Sequence, residues 1–271
     1  MPFSAWLLTL PQWLSALLVV GFFVMFGVGM VLVVRRLIDH TVLQLHNDIS
    51  GFVFANLGVI YGVMLAFVVI DVWEDYRDAE TITEQESTEA FALYRDLNLY
   101  PNQAEADKAL AALRAFSLSV VRDEFPAIKN MSWDSRFQPR LSTHEASSEL
   151  WLAIRQIVPR NLHEQSLYGE ILKDVNNMAQ FRVKRRVIAQ NDLPGVLWAV
   201  VILGGLVTVG FTALFGHESL RGHIVLAGLL SFVVGGVIYV VVSLNYPFMG
   251  EICIRPDGYE YLIEEAGWGG S

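Results

Sequence analysis

The sequence has 271 residues, 54% of them hydrophobic and 17% charged, and a formal net charge of −9. Water-soluble domains sit nearer ~25% charged, so the balance is that of a membrane protein, and its acidity argues against nucleic acid, which asks for basic patches. Cys253 is the single cysteine, which excludes an intrachain disulfide framework and a multi-cysteine zinc site.

Trp13–Val34 is the first of four stretches of about 20 residues without a charged side chain, enough to cross ~30 Å of hydrocarbon. Nothing basic precedes it, and its apolar core exceeds the ~7–15 residues of a signal peptide, so it reads as a retained membrane helix. The loop Arg35–Asp48 leads to the second stretch, Phe52–Ile70. At 3.6 residues per turn, Gly51, Ala55, Gly58, Gly62 and Ala66 share one face of it, a small-residue stripe that predicts close helix packing. A second face carries Phe52, Asn56, Val59, Val63, Phe67 and Ile70 and continues to Glu74. Asn56 is an amide inside a membrane span, so it should face protein or water rather than lipid.

An acidic run follows at once: Asp71, Glu74, Asp75, Asp78 and Glu80, then Glu84, Glu86 and Glu89, against Arg77. Asp71, Asp75 and Asp78 share a face by i, i+4, i+7 spacing, where like charges cost a few tenths of a kcal/mol per pair. No Gly or Pro separates Ile70 from Leu97, so one helix should run through, and mid-helix acids gain nothing from a helix dipole. Three explanations stand: the basic cluster Arg182, Lys184, Arg185 and Arg186 returns to neutralise the acids, they form a cation vestibule, or they hold a divalent cation. The last would need six or more oxygens, more than one helix supplies.

The middle of the chain reads as helical. Asn102 with Glu105, Ser142 with Glu145 and Asn161 with Glu164 have capping-box spacing. Apolar residues then recur at three or four, as in Leu110, Leu113, Phe116, Val120 and in Leu167, Ile171, Val175, Met178. Pro101, Pro126, Pro139 and Pro159 punctuate it, and FPAIKNMSWDSRFQPRLST (125–143) predicts a loop.

The third and fourth stretches are Val196–Phe215 and Ile224–Leu244, joined by the short loop Gly216–His223. Ala227, Ser231 and Gly235 make a small-residue face on the fourth. Pro247 should end that helix, and Gly250 should permit the turn after it. Trp6, Trp13, Trp198 and Tyr246 fall where interfacial aromatic belts sit. The fold expected is all-α: membrane helices one and two (1–73), a helical extramembrane domain (74–193), membrane helices three and four (194–248) and a tail (249–271).

Four crossings place both termini and the middle on one side. Arg77, Arg182, Lys184, Arg185, Arg186 and Arg255 lie there, against Arg35, Arg36 and Arg221 opposite, an excess that favours a cytoplasmic middle in a multi-pass inner-membrane protein. His40, His46, His217 and His223 share the short-loop side with Asp48, but without diagnostic ligand spacing they read as interfacial histidines. Gly204-Gly205 and Gly235-Gly236 lie inside spans and make no phosphate loop, and no H-E-x-x-H, G-x-S-x-G or C-x-x-C occurs. The spans lack a charged dyad, so no enzyme is expected and no cofactor, with a divalent cation left open.

GVIYGVMLAFVVIDVWEDYRDAE, then Glu89-Ala90 and Leu93-Tyr94-Arg95, resembles the opening of the bestrophin-like family of bacteria and plants. DLPGVLWAVVILGG and LNYPFMGEICIRP are similar to it further on. Trp73-Glu74, Ala79-Glu80 and Pro247-Phe248-x-Gly250 carry the likeness, which departs at Asn245, where an aspartate is expected. The resemblance implies an oligomeric channel with four membrane helices and a helical cytosolic part. It leaves anion and cation conduction open; the acids alone lean to cations. In a ring of chains, the second face of the second helix would give an amide ring at Asn56, an apolar constriction at Val59, Val63, Phe67 and Ile70, and an acidic ring at Asp71, Glu74, Asp75 and Asp78. The alternative is a non-conducting membrane scaffold or sensor whose helical domain binds a partner. The expected surroundings are lipid, further copies of the chain and inorganic ions.

Overall fold

The computed structural model describes residues 6–130 and 141–269. They are helical, with no strand among the described residues. In chain order the helices are α1 Gln12–Leu37, α2 His40–Leu45, α3 Asn47–Leu99, α4 Gln103–Ser119, α5 Phe125–Asn130, α6 Leu141–Arg155, α7 Leu162–Gln190, α8 Gly195–Phe211, α9 Leu220–Leu244 and α10 Asp257–Glu265. A π-helical turn, Val120–Glu124, joins α4 to α5, and a 3-10 turn, Thr212–Leu214, follows α8. Residues 77–130 and 141–191 with 247–269 form one unit, and 6–76 with 192–246 form the other.

In the second unit, α1, α8 together with its 3-10 turn, α9 and the first part of α3 supply stretches long and apolar enough to cross a membrane. Their packing relies on residues without bulk. A side chain at Gly27 would collide with Ser231 and Val209, and one at Gly235 would come within 3.0 Å of the Val20 backbone. Ala227, Ser231 and Gly235 on α9 are buried, as the small-residue pattern predicts. Gly204 and Gly205 of α8 receive the Tyr61 ring of α3, whose hydroxyl donates to the Val201 carbonyl at 2.9 Å. With lipid as apolar as the side chains, such close contacts replace the hydrophobic effect as the source of helix association. On the short-loop side, Asn47 and Gly216 exchange two hydrogen bonds of 2.9 Å, and Arg35 donates to the His217 carbonyl.

The other unit is a helical bundle. Ala90, Leu93 and Leu97 of α3, Leu113 and Phe116 of α4, Leu150 and Ile154 of α6, and Ile171 and Val175 of α7 are fully shielded from solvent. Burying each large side chain contributes about 1.5–3 kcal/mol. Helix α10 closes on α3: Gly258 lies against Ser87 with no room for a Cβ, Tyr261 meets Phe91, and Trp268 just beyond it meets Tyr94.

The predicted caps divide. At α7 the cap forms: the Glu164 N–H donates to Asn161 Oδ1 at 2.9 Å, and the Glu164 carboxylate reaches back to accept the Asn161 side-chain amide at 2.9 Å and the Arg160 N–H at 2.7 Å. At α4 Asn102 makes no side-chain cap, and Glu105 instead accepts the Val158 N–H at 3.0 Å and faces Arg160. The side chain of Ser142 lies outside the described residues. The loop expected from Phe125 is corrected: Phe125–Asn130 is helical. The π turn just before it, where the Phe125 N–H reaches back to the Val120 carbonyl, re-registers the ladder so that the missing N–H of Pro126 breaks no α-helix. The rest of that predicted loop, 131–140 with Pro139, lies outside the described residues.

Candidate functional site

Helix α3 is 53 residues long and unbroken, as the absence of Gly and Pro after Ile70 predicts. Its membrane part presents three faces. Tyr61, Leu65, Val68 and Val72, at i, i+4, i+7 and i+11, are buried against Phe23, Val201, Val209 and Ile238. This stripe, neither of the two faces expected from the sequence, does the packing within the chain. The small-residue stripe Gly51, Ala55, Gly58, Gly62 and Ala66 is not covered within the chain, with nothing within 4 Å of a Cβ added at Gly51, Gly58 or Gly62. The signal available was size: an aromatic with a hydroxyl three residues from a GxxxG glycine fits the Gly204-Gly205 notch of α8.

The third face lies opposite the packed one. Phe52, Val59, Val63, Phe67 and Ile70 are all more than half exposed on this chain, Phe67 at 68%. Asn56 is exposed among them, and its amide donates to the Phe52 carbonyl of its own helix at 2.8 Å. The i−4 bond satisfies part of the amide at a depth where water is scarce. Along the same helix, Asp71, Glu74 and Asp78 are exposed and Asp75 is half-buried. Trp73 stacks on Tyr76 with ring centres 6.3 Å apart.

The basic cluster is committed elsewhere. Arg185, fully buried, donates to Glu86 at 2.5 and 3.2 Å and to Glu124 at 3.2 Å. Arg182 pairs with Glu124 at 2.8 Å, and Arg186 reaches the same carboxylate at 3.4 Å. Lys184 lies over the Phe181 ring. The basic cluster thus meets the acidic run at Glu86, through Arg185, so it neutralises that run in part; Glu124, in the π turn, takes Arg182 and Arg186 and shares Arg185. The Tyr259 hydroxyl of α10 donates to Glu86 at 3.0 Å and completes the knot.

The charges set each other. Burial raises the Glu124 carboxyl, but Arg185, Arg182 and Arg186 outweigh it and hold it down at about 2. Burial opposes charge on Arg185, and Glu86 and Glu124 overcome it, raising the group above its ordinary value. Burial and the Glu86 charge raise the Tyr259 hydroxyl well above its usual range, so it stays a donor.

On the short-loop side, the His217 and His223 rings stack at 6.3 Å, and His223, buried, contacts the Thr212 carbonyl through Nε2 at 2.9 Å. His40 lies beside Asp39, and His46 contacts the Val42 carbonyl. Among the described residues, no three His, Cys, Asp or Glu side chains are placed to hold a metal ion.

The sequence profile of the Bestrophin-like domain matches residues 21–259, nearly the whole chain. This chain belongs to the bestrophin-like family. Solved structures agree on the fold. A single-substitution variant of a bacterial bestrophin homologue from Klebsiella pneumoniae superposes with a TM-score of 0.68 at 15% identity, covering 92% of this chain and 99% of that one. Another variant of that homologue gives 0.66 over 93% and 98% of the two chains, again at 15% identity. A structure described as a membrane protein gives 0.66 at 15% identity over 91% and 96%. No curated protein sequence matches significantly.

Residues that carry the bestrophin-like resemblance occupy structural positions. Ala79 is fully buried, Phe248 packs edge-on against Phe125, and the Pro247 carbonyl accepts the Ile254 N–H at 2.8 Å. Gly250, expected to permit the turn there, has φ of 78°, in the left-handed region that favours glycine. Trp73, Glu74 and Glu80 are exposed. Asn245, where the resemblance leads one to expect an aspartate, works in both directions: Oδ1 accepts the Leu193 N–H at 3.0 Å, and the amide donates to Asp192 at 2.7 Å. The Tyr246 hydroxyl also lies 3.2 Å from that carboxylate. An aspartate at 245 would oppose Asp192 with like charge.

Proposed function

We propose that this chain is one subunit of a homo-oligomeric ion channel, not an enzyme, with the α3 face of Asn56, Val59, Val63, Phe67 and Ile70 lining the pore. Asp71, Glu74, Asp75 and Asp78 form the vestibule beyond it and favour cations, and the termini and helical unit lie in the cytoplasm. The observation that carries this reading is the division of α3. One stripe is committed to the chain's own core, while the opposite apolar stripe with its amide stays exposed. Membership of the bestrophin-like family supports the channel class. The small-residue stripe, uncovered within the chain, supplies a surface for a neighbouring subunit, and it rests on the same reading. An apolar ring gates by dewetting, and a carboxylate ring concentrates cations. The engagement of Arg182, Arg185 and Arg186 with buried carboxylates supports the cation preference, since their charge is already answered.

Purified protein in liposomes should pass monovalent cations; vesicles that stay ion-tight across voltage, pH and calcium overturn the proposal. Phe67→Ser should wet the constriction and raise basal flux. Glu74→Gln and Asp71→Asn should each lower cation preference several-fold, as removal of about 1 kcal/mol of attraction per charge in a wet vestibule requires. Reversal potentials that ignore both changes, or that follow chloride, remove the acidic ring.

A further inference from the structure

Asp174 of α7 stands apart from the paired charges around it. It is 7% exposed, and its Oδ2 is shut off from solvent without a hydrogen-bond partner. Helices α3 and α7 are tied at Glu86 and Arg185. Ten residues beyond Glu86 is Asp96, about 15 Å along α3, and eleven before Arg185 is Asp174, about 16 Å along α7. Where the two helices run antiparallel from that tie, Asp174 comes level with Asp96. Asp96 and Glu89 of α3 and Glu170 of α7 all act on it with like charge. The base facing it is Lys173, whose ammonium is held by Glu170 at 3.1 Å, while Arg95 takes Asp96 at 3.0 Å.

We propose that Asp174 is a proton-binding site of the helical unit, occupied in mildly acidic conditions and empty at neutral pH. A buried carboxylate oxygen without a donor, among three further carboxylates, asks for a positive ligand. A proton meets that need with one oxygen, whereas a metal ion needs several converging groups, and no such set of three exists among the described residues. Burial first, then Asp96, Glu89 and Glu170, push the carboxyl up to about 6. Once protonated, the group is neutral and the repulsion across α3 and α7 is relieved. The folded group therefore holds its proton more tightly than the unfolded chain does. Stability contributed by the proton is present at low pH and lost as pH rises through about 6.

The test is thermal unfolding of the full chain in detergent from pH 4 to pH 8, wild type beside Asp174→Asn. The variant should melt several degrees higher above pH 7, with the gap closing below pH 5. A gap independent of pH overturns the site. Glu89→Gln, which leaves Asp174 in place, should move the midpoint of the wild-type pH dependence downward. A midpoint that does not move overturns the electrostatic origin, and this arm stands even if Asp174→Asn fails to fold. Calcium added at pH 7.5 should leave the melting temperature unchanged. A rise that Asp174→Asn abolishes would replace the proton by a divalent cation.

Discussion

Glu124 and Asp174 are carboxylates of the same helical unit, 8% and 7% exposed, yet they are driven in opposite directions. Glu124 sits among three guanidiniums and is held at about 2; Asp174 sits among three carboxylates and is raised to about 6. Burial disfavours the charged form of both. The difference teaches that burial alone does not set the ionisation of an acid in this bundle: it leads the rise at Asp174, where the neighbouring helices bring like charge, and is overturned at Glu124, where they bring guanidiniums. One site is a fixed strut, and the other is free to change its charge.

The strongest way to break this contrast is Arg185→Ala. It strips Glu86 and Glu124 of a fully buried partner, which costs about 3–5 kcal/mol and, in a chain of this size, should lower the melting temperature by ~10 °C. Glu124→Gln comes next. The carboxyl lies below its ordinary 4.5, so its contribution is present above that value and lost as pH falls from 4.5 towards about 2. The gap corresponds to about 3 kcal/mol, so the variant should be weaker at pH 7 and lose less on acidification in a urea titration. Asp174→Asn is smallest and opposite in sign, a gain of about 1 kcal/mol at pH 7 once solvent screening is allowed for.

The membrane half was legible because its signal is local: about 20 uncharged residues leave no other option. The unbroken α3 followed from what the sequence lacks. The buried knot was not legible, because Glu124 meets Arg185 across 61 residues and lies next to a segment whose prolines read as loop. Periodicity reports which face of a helix is apolar, not which distant helix answers a charge. For the same reason the basic residues from 182 to 186 could be matched by sign to the acidic run from Asp71 to Glu89, but not to Glu86 in particular. The α3 faces were half legible. Their membership follows from 3.6 residues per turn, but which one the chain covers depends on the Gly204-Gly205 notch that admits Tyr61.

Gly27 has a mechanical consequence. It meets Ser231 and Val209 with no space for another carbon, and it is flanked by Phe26 and Val28. A screw motion of α1 by one residue, about 1.5 Å along its axis with about 100° of rotation, would drive a bulky side chain into that slot, so the contact behaves as a keyed joint with one setting.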